Sequence, residues 1–189
     1  MSRFFSWYQS SLERRYIDAI VSQDVQAGPF LLIFQIAGHE CAIPCGRVQE
    51  VVSMAATAQT PGQPSTVEGF LNLRGEAIPV VILRRLFALP EIEPGIHTPV
   101  IIARLGDALT GLLVDRVHEV AMIDSGEIKP LAENHSLNEC ADAYVTFGGR
   151  RVVLLDCDRL LLEEEKRRIT ELQAAMQFRL RQLDQARDG

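Results

Sequence analysis

Three stretches of the chain share one texture: a short apolar run, a turn that holds glycine, then a second run. Phe30 to Pro44 (FLLIFQIAGHECAIP) does this around Gly38. Thr98 to Asp115 (TPVIIARLGDALTGLLVD) does it around Gly106-Asp107, and Asp142 to Asp156 (DAYVTFGGRRVVLLD) around Gly148-Gly149. Short apolar runs joined by residues that accept positive φ predict β-hairpins. Ala77 to Leu83 (AIPVVIL) adds a further strand. The segment from Thr57 to Thr66, with two prolines and a glycine, reads as a connection, and Leu89 to Pro99 as a boundary between two halves. Residues 30–156 therefore predict a mainly β, mostly antiparallel fold of many short strands.

The flanks follow another period. Phe5, Tyr8, Leu12, Tyr16 and Ile20 recur at steps of 3, 4, 4 and 4, which puts them on one helical face ended by Gly28-Pro29. Ile169, Leu172, Met176, Leu180 and Leu183 recur at steps of 3, 4, 4 and 3, which predicts a second helix with Asp156 or Asp158 as its cap. A helix of about 28 residues would reach roughly 40 Å, longer than a barrel-sized half needs. The expected organisation is a helical extension over 1–29, a β domain over 30–162 with its second half beginning near 98, and a C-terminal helix over 163–189.

The β domain also repeats. Arg47 to Val51 reads RVQEV, and Arg116 to Val120, 69 positions on, reads RVHEV. The same shift carries Leu32-Ile33 onto Ile101-Ile102 and Ile43 onto Leu112. A later block, Gly75-x-x-Ile78-x-Val80-Val81, recurs as Gly149-x-x-Val152-x-Leu154-Leu155 at a shift of 74. Two blocks in the same order predict a duplicated fold. Each copy, at about 65 residues, is small for a core of its own, so the two should pack together.

Composition narrows the function. Apolar residues are 47% of the chain, enough for a packed core. The net charge of −6 and pI near 5.3 argue against nucleic acid as a partner. Cys41, Cys45, Cys140 and Cys157 lack paired Cys-x-x-Cys spacing, and His39, His97, His118 and His135 lack ligand spacing, so neither metal nor cofactor is expected. Ser125-Gly126 and Cys45-Gly46 lack the frame of a nucleophile elbow, so no catalytic residue is expected. No apolar run is long enough to insert in a membrane, and the N-terminus lacks the pattern of a signal peptide; a cytoplasmic protein is expected.

The most specific text is Glu68 to Leu83, EGFLNLRGEAIPVVIL. Its Gly69-x-x-Asn72-Leu73-Arg74-Gly75 and Pro79-Val80-Val81 follow Ala42-Ile43-Pro44 and Val48-x-Glu50-Val51. They precede Gly111-x-x-Val114-Asp115-x-Val117 and Leu154-Leu155-Asp156. In this order the marks resemble the CheW family of chemotaxis coupling proteins, over residues 30–162. The resemblance implies two packed five-stranded SH3-like β-barrels and a non-enzymatic adaptor. Such an adaptor couples the cytoplasmic tip of methyl-accepting chemoreceptors to the regulatory domain of a CheA-type histidine kinase, at membrane-associated receptor arrays. A CheW-like scaffold of a non-motility pathway with second-messenger output, binding a divergent partner through its terminal helices, is the alternative.

Carried over by position, the resemblance assigns Val48, Glu50, Gly69, Asn72, Arg74, Gly75 and Val117 to the receptor-binding groove, with Glu50 and Arg74 as a pair. It assigns Ile82 and Asp115 to the kinase-facing side; Ile82 stands where the family usually has Asp, and its repeat equivalent, Asp156, is retained. The residue types add readings of their own. Arg74 can fix a turn against Glu50 or touch a partner. Gly69 and Gly75 suit backbone turns. Val48 and Val117 suit a core unless a groove leaves them half exposed. In the second copy Gly148 stands where Arg74 would be, so Glu119 is expected to lack a partner. The two terminal helices, outside the common domain, are expected to pack on each other or on a partner.

Overall fold

The computed structural model describes residues 28–131 and 140–187. Eleven strands and two α-helices are seen there, with short 3-10 turns at Cys45–Arg47 and Ser125–Glu127. The strands of the first part are β1 (Phe30–Ile36), β2 (His39–Pro44), β3 (Val48–Ser53), β4 (Val67–Leu73) and β5 (Glu76–Ile82). After a one-turn helix α1 (Leu83–Leu86) come β6 (Pro99–Leu105), β7 (Ala108–Leu113), β8 (Arg116–Met122), β9 (Ile128–Pro130), β10 (Ala141–Phe147) and β11 (Arg150–Leu155). The long helix α2 spans Glu163–Arg187.

The strands form a six-stranded sheet, β8-β1-β2-β11-β10-β9, and a five-stranded sheet, β3-β6-β7-β5-β4. The fold is mainly β, as expected, and two packed sheets of this kind agree with paired SH3-like barrels. The repeat is visible strand by strand. Exchanging β1 for β6, β2 for β7, β8 for β3, β11 for β5 and β10 for β4 turns one sheet order into the other. The extra strand β9 pairs with β10 through Lys129 and Tyr144, and its counterpart is a single bridge between Ala58 and Phe70.

The sheets cut across the two halves of the sequence. Hairpin β1–β2 lies in the sheet of β8, β10 and β11, and hairpin β6–β7 in the sheet of β3, β4 and β5. Each copy thus lends its first hairpin to the other. The lent hairpins join by parallel pairing, β2 with β11 and β7 with β5.

This exchange explains why the runs are continuously apolar. On β1, Leu32, Phe34 and Ile36 enter a core between the sheets, while Leu31 and Ile33 enter the core of their own sheet. On β6, Ile101, Ala103 and Leu105 enter the shared core and Val100 and Ile102 the other. A strand covered on both faces is apolar at successive positions, and the polar residues here, Gln35 and Arg104, fall at the penultimate position of each strand. Burial also pushes the Cys41 and Cys157 thiols up to about 12, with Glu40 a lesser cause at Cys41.

Helix α2 departs from expectation in two ways. Its cap is neither Asp156 nor Asp158. The Glu165 carboxylate turns back to accept from the Leu162 amide at 3.1 Å, and the Lys166 amide donates to the Leu162 carbonyl at 2.9 Å. Its stripe is also occupied by the β domain itself. Ile169 enters the shared core, and Leu172, Met176 and Leu180 pack on Phe70 and Ala77 of β4 and β5. Leu183, last on the stripe, is 62% exposed because the helix has run past the sheet. The expected N-terminal helix lies outside the described residues. No helix among the described residues is long and apolar enough to cross a membrane.

Two outcomes are expected. Met176→Ala should cost about 2–3 kcal/mol and Leu183→Ala less than about 0.5, although both lie on one stripe; urea denaturation reads the difference. A thiol reagent at about pH 8 should label half-buried Cys45 well before Cys41 and Cys157, which react on unfolding.

Candidate functional site

Strands β3 and β4 are the two edges of the five-stranded sheet. The chain brings those edges together with one ion pair. Arg74, in the β4–β5 turn, donates from Nη2 to Glu50 Oε2 on β3 at 2.9 Å. The Glu50 side chain is 24% exposed and that of Arg74 is 74% exposed.

Glu50 is aimed by a β-bulge. Val48 pairs with Ala103 and Glu50 with Ile102, so Gln49 is an extra residue. A bulge bends its strand and re-aims its side chains. Val48 and Val52, half-buried on either side of Glu50, pack inward against the two cores. The repeat places a second bulge on β8, where Val117 pairs with Phe34 and Glu119 with Ile33, leaving His118 unpaired. The one letter that differs between RVQEV and RVHEV is the extra residue of each bulge.

Arg74 is held in a conformation that side-chain-bearing residues avoid. Its φ is +54° and that of Gly75 is +84°, the signs of a two-residue type I′ hairpin turn. A residue with a Cβ gives up about 1–2 kcal/mol there relative to glycine. The second copy builds the same turn with Gly148 and Gly149, at φ +56° and +75°. Asn72 steadies the first turn, its Oδ1 accepting from the Gly75 amide at 2.9 Å.

Gly69 is fixed by close approach. A Cβ there would lie 2.9 Å from Thr57 Cβ and 3.0 Å from the Ala58 carbonyl oxygen. The chain's own 57–58 segment lies on it, bonded both ways between Ala58 and Phe70 at 2.9 Å. Gly75 has open space around it, so its turn conformation is what calls for glycine there.

Of the groove residues, Val48, Glu50, Asn72, Arg74 and Gly75 gather at one seam. Gly69 sits buried farther back on β4, and Val117 on β8 of the other sheet. Val48 and Val117 are both half-buried against the shared core.

Both kinase-facing positions are taken up within the chain, and one expectation is overturned. Ile82, 6% exposed, packs with Leu71, Val80, Ile102 and Leu113, so an apolar side chain at this position has turned inward. Asp115 is engaged within the chain. Its carboxylate accepts Arg84 Nε at 2.7 Å, Arg84 Nη2 at 2.6 Å and the Ala37 amide at 2.6 Å, while Arg84 Nη1 also donates to the Pro90 carbonyl. The expectation that fails concerns Glu119, which does have a partner. Arg150, just past the Gly148-Gly149 turn, approaches it at 3.5 Å and reaches Glu40 at 3.2 Å; His118 Nε2 lies 3.5 Å from the same Glu40 oxygen.

The Asp115 cluster has a mirror image that sequence reasoning missed. Asp158 accepts Arg47 at 2.7 Å and the Gly106 amide at 3.3 Å. Gly106 is the repeat counterpart of Ala37, and Asp158 that of Arg84. Each cluster ties the tip of a lent hairpin to the body, with acid and base on exchanged elements. The shifts of 69 and 74 carry Ala37 to Gly106 and Arg84 to Asp158, but carry Arg47 to Arg116 rather than Asp115, so the charged partner is one position out of register.

Residues 31–165 match the protein family described as CheW-like domain. The chain is 30% identical over 142 residues to the chemotaxis protein CheW of Klebsiella aerogenes, covering 73% of this chain and 84% of that protein. It is 32% identical over 136 residues to the chemotaxis protein CheW of Helicobacter pylori, covering 69% and 80%. Among solved structures it resembles the scaffolding protein TtCheW of Thermoanaerobacter tengcongensis, with a TM-score of 0.68 at 24% identity over 73% of this chain and 95% of that one. That last likeness concerns the fold.

The strained turn and the tight glycine predict opposite responses. Arg74→Gly should change stability by no more than about 1 kcal/mol in either direction, since relief of the positive φ offsets loss of an exposed pair. Gly69→Ala should cost about 2 kcal/mol or more, because its Cβ meets the 57–58 segment. Urea unfolding midpoints of the two variants test the contrast.

Proposed function

The chain belongs to the CheW-like domain family, and from that premise we propose that it is a non-catalytic adaptor in bacterial chemosensory signalling. In this reading it couples the cytoplasmic tip of a methyl-accepting receptor to the regulatory domain of a CheA-type histidine kinase. The family match and the chemotaxis relatives support the adaptor role. The named partners are our inference.

The observation that carries the receptor side is Arg74. A side chain is kept at a backbone position that the second copy gives to glycine, and it is left 74% exposed. Strain held at an exposed position points to use. The pair with Glu50 contributes at most about 1 kcal/mol at such exposure, so stability alone is a weak reason for it. Beside it, Val48 packs on the core but is only half-buried, which leaves part of its side chain for one face of a helical hairpin. Arginine is among the residue types enriched where binding energy concentrates. On the kinase side, Ile82 is buried and Asp115 is held by Arg84, so this reading rests no kinase contact on either.

Binding of a receptor-tip fragment and of a kinase regulatory domain should be measured separately by calorimetry. Arg74→Ala is expected to weaken receptor binding by about tenfold or more, a loss of roughly 1.4 kcal/mol, and to leave kinase binding within about twofold. Unchanged receptor affinity would remove the site assignment. Failure of the unaltered protein to bind either partner would remove the adaptor reading.

A further inference from the structure

Strand β5 is covered on its β7 side only in part. Pairing with β7 runs from Val80 to Ile82, while pairing with β4 runs along the whole hairpin to Leu73 and Glu76. The first residues of β5 therefore need another source of hydrogen bonds.

Helix α2 supplies it through two glutamines four residues apart, a spacing that puts both on one helical face. Gln173 Nε2 donates to the Ala77 carbonyl at 2.9 Å. The Ala77 amide donates to Gln177 Oε1 at 2.8 Å, and Gln177 Nε2 donates to the Gly75 carbonyl at 2.7 Å. The two amides do for β5 what a neighbouring strand would do, and they extend the bonding into the turn.

Gly75 is thereby gripped at both ends of its backbone. Its amide is held by Asn72 and its carbonyl by Gln177. We propose that α2 belongs to the site, with Gln177 as the positioning residue that holds the Arg74-Gly75 turn so that Arg74 reaches Glu50. The second copy serves as an internal control. Its turn has the same signs of φ but two glycines and no arginine. Among the described residues, no side chain is bonded to Gly148 or Gly149. The brace stands where the turn carries strain and a functional side chain.

A glutamine suits this task because its amide is donor and acceptor at once. Met176, beside it in sequence, anchors the helix on Phe70 and Ala77, so the amide is carried on a packed element. The binding consequence rests on the proposed receptor role, whereas the brace itself does not.

The test uses the full chain. Gln177→Ala keeps helix propensity and removes both bonds. Gln177→Glu keeps an acceptor for the Ala77 amide and removes the donor to Gly75. Amide hydrogen exchange is read at Gly75 and Glu76, with the 148–149 turn as reference. Both variants should speed exchange there by about tenfold or more and leave the reference turn unchanged. Receptor-tip binding should fall about fivefold in Gln177→Ala, and adding Arg74→Ala should give no more loss than Arg74→Ala alone. Unchanged exchange at Gly75 and Glu76 would overturn the brace, and so would independent, additive losses of binding. If Arg74→Ala leaves receptor binding intact, the receptor reading fails, and the exchange result still decides the role of Gln177.

Discussion

Leu32, Phe34 and Ile36 from one hairpin meet Ile101, Ala103 and Leu105 from the other in a core that belongs to neither sheet alone. The opposite faces of the same strands fill the two separate cores. Three cores are thus joined through two hairpins, and loss of either hairpin would open two cores at once. At about 25 cal/mol per Å² of apolar surface, this shared burial outweighs any surface ion pair in the molecule. The two carboxylate clusters, Asp115 with Arg84 and Asp158 with Arg47, add direction to it. They fix where each hairpin tip ends, and so where β3 and β8 begin.

The candidate site inherits its geometry from that frame. The bulge at Gln49 forms where β3 pairs with the lent strand β6, and it aims Glu50 at the opposite edge of the sheet. The 72–76 turn comes from that opposite edge. One charged pair therefore spans a seam whose two sides are set by different hairpins, and α2 holds the more strained side. The duplicated copy keeps the bulge but relaxes its turn with glycine and takes a base from Arg150. Duplication preserved the frame while only one copy kept an arginine at the tip of the turn.

Much of this was legible in the sequence, for identifiable reasons. Hairpins and their glycine turns are local, so the apolar runs and positive-φ residues disclosed them. The repeat gave the strand correspondence, and the family marks brought Glu50 and Arg74 together. The exchange of hairpins was not legible, because an apolar run records that both faces are covered and carries no label of its neighbour. Glu119 was misread because the shift was applied to Gly148 alone, while Arg150 reaches the same carboxylate from across the turn. The cap of α2 was misread because Glu165 supplies the oxygen from inside the helix, where the search for a preceding Asp does not look. Gln173 and Gln177 passed unnoticed since a glutamine on a helix ordinarily faces water.

The lent hairpins also order events at the ribosome. Strands β1 and β2 emerge first, yet their neighbours β8 and β11 are among the last to be made: Phe30 pairs with Met122, and Cys41 with Val153. The five-stranded sheet draws only on residues from Val48 to Leu113 and can assemble while synthesis continues. Through that interval Leu31 to Ile36 waits with one apolar face still uncovered. Pairings so distant along the chain form late and leave strand edges open to other chains. The nascent chain is therefore most exposed to misassembly at its first hairpin, and the last strands synthesised are the ones that end the danger.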